Sequence, residues 1–280
     1  MEYPEERNKY LSTTRRCLQV LFVYYSKAQF KIYSGRKSLT TGDLVMFNQF
    51  KVSSNARLQL GILPLICPLE KLSLELLDKE IALYDQAWSL PEYSSNSPGE
   101  QNISFFLQNV LRVLNPPDDS KFQFDQTVLD AGAGSGKGAL ALDGLGFKVK
   151  MCDISDAGLT DAARALPFEK ANLWSSLHLI ARGFSHPNAT RFDFVYCCDV
   201  LEHIPPQFTM LAIDHMLRVA RYGVFLSVSL VPDNFGIWMG QALHQTVQPF
   251  TWWRDSLREL GTVGDARDLH NCGVFFISYL

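Results

Sequence analysis

Val128 to Leu142 reads VLDAGAGSGKGALAL. A short apolar run meets glycines at every second position, Gly132, Gly134, Gly136 and Gly138, and an alanine–leucine run follows. Strand, glycine turn and helix in that order open a β-α unit. The glycines let the backbone of the turn come close to a ligand.

The pattern continues downstream. GALALDGLG reads as a helix stopped by Gly144 and Gly146. FKVKMCD alternates and ends at Asp153, and SDAGLTDAARAL predicts a helix capped by Ser155. FDFVYCCD is the next apolar strand, and PPQFTMLAIDHMLRVA carries apolar residues at helical spacing behind its prolines. GVFLSVSL, the helix FTWWRDSLREL and the strand CGVFFISYL close the series. Repeated β-α units predict a parallel, doubly wound sheet with helices on both faces. Ligands then bind outside the carboxyl ends of the strands, where the glycine turn lies.

Upstream the periodicity is broken. PEYSSNSPGE (91–100) and NPPDDSK (115–121) are turn-rich and flank a helical stripe of Phe106, Val110 and Leu114. Leu69 to Trp88 reads as a helix, and AQFKIY within 18–62 alternates like a strand. The expected organisation is an N-terminal extension over 1–85, whose fold the sequence does not assign, and one α/β domain over 86–280.

The 280 residues carry 26 basic and 29 acidic side chains, a formal net charge of −3. Proteins that grip nucleic acid through phosphates usually show a basic excess. Arg15, Arg16, Lys27, Lys31, Arg36 and Lys37 cluster only weakly and read as a solvated face. The six cysteines show no C-x-x-C spacing, which predicts reduced thiols. MEYPEERNKY is not a signal peptide, and no apolar run approaches the ~20 residues of a membrane span. The expectation is a cytoplasmic protein.

Two familiar ligands fit the glycine turn poorly. In the phosphate-loop pattern G-x-x-x-x-G-K-[ST], Gly136 and Lys137 supply G-K. Ala131 then stands where a glycine belongs, and Gly138 where the magnesium-binding hydroxyl belongs. The dinucleotide pattern G-x-G-x-x-G/A fits Gly134, Gly136 and Ala139, with Asp153 downstream. But Asp130, two positions before Gly132, sits badly with a pyrophosphate and suits an ammonium. Asp153, ending the second strand, suits ribose hydroxyls. One carboxylate for a cationic amino acid and one for a ribose describe S-adenosylmethionine.

VLDAGAGSG, MCDIS and FDFVYCCDVLEHIPP resemble the first, second and fourth motifs of the class I S-adenosylmethionine-dependent methyltransferases. The likeness covers about residues 85 to 280. It implies a Rossmann-like, seven-stranded, mostly parallel sheet. It also implies that Asp130, Ala131, Gly132 and Gly134 hold the methionine part of the cofactor. Asp153 would take the ribose, Ile154 the adenine face, and Asn172 and Leu173 the adenine edge; the family often has an acidic residue where Asn172 stands. Asp199 would lie beside the methyl group. Trp88, Tyr93 and Ser97 either cover the cofactor or form a packed helix and a plain turn.

Transfer to a hydroxyl is helped by a general base. His203 is the candidate, oriented by Glu202 or Asp199; the alternative is that Glu202 and His203 only stabilise the helix after Pro205. Asp199, Glu202 and His203 stand at i, i+3 and i+4. With His244 from the loop after the fifth strand, Glu202 and His203 offer a second option, a divalent metal, which the spacing alone does not favour. This option resembles metal-assisted methyltransferases of small-RNA 3′ ends and of quinone biosynthesis, with Asp199 in place of their first glutamate. The acceptor expected is a small molecule or a glycan, methylated at oxygen, with RNA as the alternative. An NAD-dependent oxidoreductase and a non-catalytic cofactor-binding module are the readings from other classes.

Overall fold

The computed structural model describes residues 22–26, 29–33, 63–94, 98–117, 123–175 and 191–279. The chain divides into two compact units, 1–73 and 74–280. In the first, β1 (Phe22–Ser26) and β2 (Gln29–Tyr33) pair as an antiparallel hairpin. The basic cluster at 15–37, Cys17 and Ser97 fall outside the side chains described.

Helix α1 (Leu63–Trp88) runs into the second unit, which also holds the short α2 (Pro91–Ser94) and α3 (Ile103–Leu114). The compact units therefore part earlier than residue 85. Leu83, Tyr84 and Ala87 are buried in a small cluster with Leu243 of the second unit.

The series then alternates: β3 (Thr127–Ala131), α4 (Lys137–Gly144), β4 (Lys148–Asp153), β5 (Phe168–Lys170), β6 (Phe192–Cys198), α5 (Thr209–Val219), β7 (Ala220–Ser229), α6 (Gly236–Met239), α7 (Phe250–Leu260), β8 (Thr262–Asp268) and β9 (Cys272–Ser278). Seven strands form one sheet in the order β5-β4-β3-β6-β7-β9-β8. The first five are parallel, and β9 is antiparallel to both neighbours. The order reverses at β3, whose neighbours are β4 and β6. The crevice beyond β3 and β6 is thus the switch point where such sheets bind ligands.

Strand alternation sends side chains to two cores. Leu129, Val195 and Cys197 pack with Leu211, Met216, Trp253 and Leu257 of α5 and α7. Val128, Phe194 and Tyr196 pack with Phe106 and Val110 of α3 and Ala139 and Leu142 of α4. Both faces are covered, which is why the central strands read as continuous apolar runs.

Two readings are corrected. The helix predicted over 155–166 is a series of turns ending in one 3-10 turn, Ala163–Ala165. Tertiary contacts hold that segment open: Thr160 N–H donates to Ser135 O, and the Ser155 hydroxyl donates to Asp85. The sheet also has strands, β5 and β8, that no apolar run marks. Both are edge strands, half exposed and charged (FEK and TVGDARD), as edges commonly are.

Candidate active site

A cavity of about 320 Å³ opens at the carboxyl ends of β3, β4 and β6, within the second unit. Its floor is the glycine turn. Gly132 (φ 80°) and Gly134 (φ 51°) adopt left-handed backbone that side chains rarely tolerate. A Cβ on Gly132 would stand 2.4 Å from Val200, and one on Gly134 2.8 Å from the Trp88 ring. The turn is therefore closed from above by Trp88, which meets Tyr93 edge-on at 4.9 Å.

Two carboxylates serve this end, Asp130 buried and Asp153 half-buried. Asp153 holds the turn directly: its Oδ2 accepts the Gly134 N–H at 2.9 Å and its Oδ1 the Ser155 N–H at 3.1 Å. Burial raises its carboxyl against those hydrogen bonds. Burial raises Asp130 to about 7, and the neighbouring Asp153 adds to the rise. Both line the cavity with Gly132, Gly134, Ile154 and Leu173. Ala131 is fully buried in β3 beneath them. Asn172 turns into its own loop, its Oδ1 accepting the Trp174 N–H at 2.9 Å.

The second cluster stands at the end of β6. Asp199 has a left-handed backbone (φ 58°), a conformation Asp tolerates better than most residues and one often found at functional sites. Its N–H donates to Ser227 O on β7 at 2.9 Å. A 3-10 turn, Leu201–His203, follows. Glu202 is fully buried; its Oε1 accepts the Ser229 N–H at 2.5 Å, and its Oε2 meets no N–H donor among the described residues, with the Asp199 carboxyl beside it. Burial first, then Asp199, pushes the Glu202 carboxyl well up. Burial lowers His203 to about 4; Asp199 opposes the shift and His244 adds to it.

His244 reaches this cluster because Asp233 folds the loop after β7. The Asp233 carboxylate accepts the N–H groups of Gly236, Leu243 and His244. The His203 and His244 rings meet edge-on at 4.7 Å. In each ring Nδ1 faces a backbone carbonyl, Leu243 O at 3.3 Å and Val231 O at 2.7 Å. A carbonyl only accepts, so Nδ1 carries a proton in each ring, and in His203, kept neutral by burial, Nε2 keeps the lone pair. One ligand-type atom from each of Asp199, Glu202, His203 and His244 lies within 4.8 Å of the others.

Sequence reasoning placed most of these groups but missed Glu80, Tyr84, Asp233 and Phe235, which also line the cavity. Glu80, Tyr84 and Trp88 stand at i, i+4 and i+8 of the helix the sequence predicted, and that spacing was the available signal.

The chemistry of this wall suits a cationic ligand. Among the described residues, Glu80, Asp130, Asp153, Asp199 and Asp233 line the cavity, and no lysine or arginine does. A dinucleotide's pyrophosphate finds no countercharge there, whereas the ammonium, sulfonium and ribose of S-adenosylmethionine find carboxylates. No described helix is long and apolar enough to cross a membrane.

Comparison with known proteins agrees. Residues 99–272 match the family model described as a methyltransferase domain. A ubiquinone biosynthesis O-methyltransferase of Aromatoleum aromaticum is 34% identical over 92 residues, 32% of this chain. The match spans only 39% of that relative's length. The structure of DhpI in complex with S-adenosylhomocysteine superposes with a TM-score of 0.51 at 14% identity, covering 73% of this chain and 97% of that one. Magnesium protoporphyrin IX methyltransferase from Synechocystis PCC 6803, with S-adenosylhomocysteine bound, gives 0.44 at 17% identity, covering 64% of this chain and 84% of that one. The DhpI likeness speaks to the fold alone, while the family match speaks to the chain itself: it belongs to the methyltransferase domain family, as a class I, S-adenosylmethionine-dependent member.

Proposed function

We propose that the protein transfers a methyl group from S-adenosylmethionine to a hydroxyl oxygen of a small molecule or glycan. The observation that carries this reading is the half-buried His203 imidazole, held neutral with its Nδ1 against Leu243 O and Asp199 close to its ring at the end of β6. When bound, S-adenosylmethionine supplies a methyl group already activated on a sulfonium. The protein's work is positioning and the handling of one proton. Gly132 and Gly134 give the methionine part its cradle, with Asp130 for its ammonium and Ala131 shaping the strand end below. Asp153 takes the ribose hydroxyls, and Ile154 and Leu173 bracket the adenine. Asn172 supports the loop instead of meeting the base edge.

His203 Nε2 would take the proton of the acceptor hydroxyl; S-adenosylmethionine would supply the methyl group, its carbon–sulfur bond breaking as the oxygen–carbon bond forms, and leave as S-adenosylhomocysteine. Asp199 steadies the imidazolium so formed, and Glu202 holds the turn in place through the Ser229 N–H. Trp88 and Tyr93 keep water from the donor.

A second reading is favoured by a specific observation. Asp199, Glu202, His203 and His244 point acceptor atoms at one spot, and Glu202 Oε2 has no donor. Such a group fits a divalent cation, with both imidazoles tied back through Nδ1 to carbonyls as ligating histidines usually are. These four residues would hold the ion, and it would lower the pKa of an acceptor hydroxyl.

Calorimetric titration with S-adenosylhomocysteine tests the donor half, with NAD as control. Micromolar binding is expected, weakened at least tenfold by Asp153→Ala. Heat from NAD without heat from S-adenosylhomocysteine would overturn the reading.

A further inference from the structure

Glu80 and Tyr84, one turn apart on α1, face the cavity on the side of His203. Both are buried, 7% and 9% exposed. Glu80 is held firmly. Its Oε1 accepts from Gln245 Nε2 at 2.8 Å, and the same amide donates to His203 O at 3.0 Å. Gln245 is itself anchored by its N–H to Glu202 O at 2.7 Å. The Tyr84 ring meets His203 edge-on at 5.6 Å. Yet Glu80 Oε2 and the Tyr84 hydroxyl have no hydrogen-bond partner among the described residues.

A buried polar atom without a partner costs free energy, of order 1–3 kcal/mol for a neutral group and more for a charged one. Two such atoms, on one face and beside the proposed base, mark a place where a ligand completes the hydrogen bonding. The donor half of the cavity is accounted for by Asp130, Asp153 and the glycine turn. The orphaned pair lies on the other side, with His203, Asp199 and His244.

The charge of the lining narrows what can bind there. Its five carboxylates and absent lysine and arginine, among the described residues, repel a carboxylate, phosphate or sulfate on the acceptor. They also disfavour an amine as the methylated group. Carboxylates hold an amine as ammonium, and its lone pair is then occupied by a proton. A hydroxyl carries no such penalty. It donates to Glu80 Oε2 and both donates to and accepts from Tyr84 Oη.

We propose that Glu80 and Tyr84 form the acceptor-binding wall of this cavity and select an uncharged, polyhydroxylated acceptor of the sugar or polyol class. Glu80 is a binding and positioning residue here. It touches the acceptor at a hydroxyl other than the one methylated, which leaves His203 free for the reacting proton. The inference rests on the methyl-transfer reading above and adds the class of its acceptor.

The test uses the full chain, S-adenosylmethionine labelled with tritium in the methyl group, and an extract of the source cells. The extract is separated beforehand by ion exchange into anionic, neutral and cationic fractions. Label is expected in the neutral fraction. Label in the anionic or the cationic fraction would overturn the proposal while leaving methyl transfer intact. No label in any fraction, from protein that binds S-adenosylhomocysteine, would sink the transfer reading and the proposal with it.

The untreated portion of the neutral fraction then serves as substrate for two variants. Glu80→Gln keeps the contact to Gln245 and removes the charge. Tyr84→Phe removes one hydroxyl and keeps the ring. Each is expected to raise the apparent KM for that fraction, Glu80→Gln by about tenfold, with S-adenosylhomocysteine affinity unchanged. An unchanged KM in both variants, or an equal loss of S-adenosylhomocysteine affinity, would refute the assignment of this wall to the acceptor.

Discussion

Replacing Asp130 by asparagine separates the cost of a buried carboxylate from its use. In the free protein this carboxyl is raised from 3.8 to about 7, chiefly by burial. A folded-state pKa above the unfolded one means that the folded chain keeps a proton the unfolded chain has released. Between about pH 4 and 7 stability therefore falls as pH rises, and above 7 the full cost of the ionised group is felt. At about 1.36 kcal/mol for each tenfold in proton affinity, that cost is of order 4 kcal/mol. Asparagine carries no charge and keeps an oxygen for the Ala139 N–H that Asp130 accepts. Asp130→Asn is thus expected to be more stable than wild type at pH 8, by up to about 4 kcal/mol, with the gain vanishing near pH 4. Urea unfolding of both proteins from pH 4 to 8 measures this directly. The same variant is expected to bind S-adenosylhomocysteine at least tenfold more weakly at pH 8, because the ammonium loses its partner. Wild-type affinity is expected to fall as pH drops below 7, as Asp130 takes up its proton. A stability difference that does not change with pH, or a variant less stable at pH 8, would refute the burial argument.

Gly132→Ala would place a methyl 2.4 Å from Val200 at a φ of 80°. It is expected to cost about 1–3 kcal/mol in urea unfolding and to weaken S-adenosylhomocysteine; Val200→Ala in the same chain should recover the part due to the clash, and no recovery would show that the backbone alone is at fault. If Asp199, Glu202, His203 and His244 hold a divalent ion, manganese titrated calorimetrically binds the wild type and not Glu202→Gln or His244→Ala. Transfer would then fall on chelation and return with metal. Turnover indifferent to chelation, with no heat from manganese, leaves His203 to take the proton unaided.

The central strands were legible because both faces of the sheet are covered. TVLDA, FDFVYCCD and GVFLSVSL are mostly apolar on both faces, and a parallel sheet between two helical layers demands that of its strands. The turn was legible for a similar reason, since only glycine tolerates the backbone at 132 and 134 against Val200 and Trp88. What failed was local propensity. The run at 155–166 offers Ser155 as a cap and four alanines, but contacts from Ser135 and Asp85 hold it as turns. The edge strands β5 and β8 carry mixed charge, so their pairing leaves no apolar trace.

The site divides along the same line. Asp130, Asp153, Asp199 and His203 end strands or follow them directly, and the order of strands alone takes them to one end of the sheet. By itself, then, the sequence determined the fold and which side chains gather at the carboxyl ends of the strands, because periodicity and glycine spacing are local signals. Glu80 and Tyr84 come from a helix before the glycine turn, and His244 from a loop that Asp233 must fold. Only tertiary packing brings these to the far wall, because contacts between residues far apart in the chain leave no spacing to read.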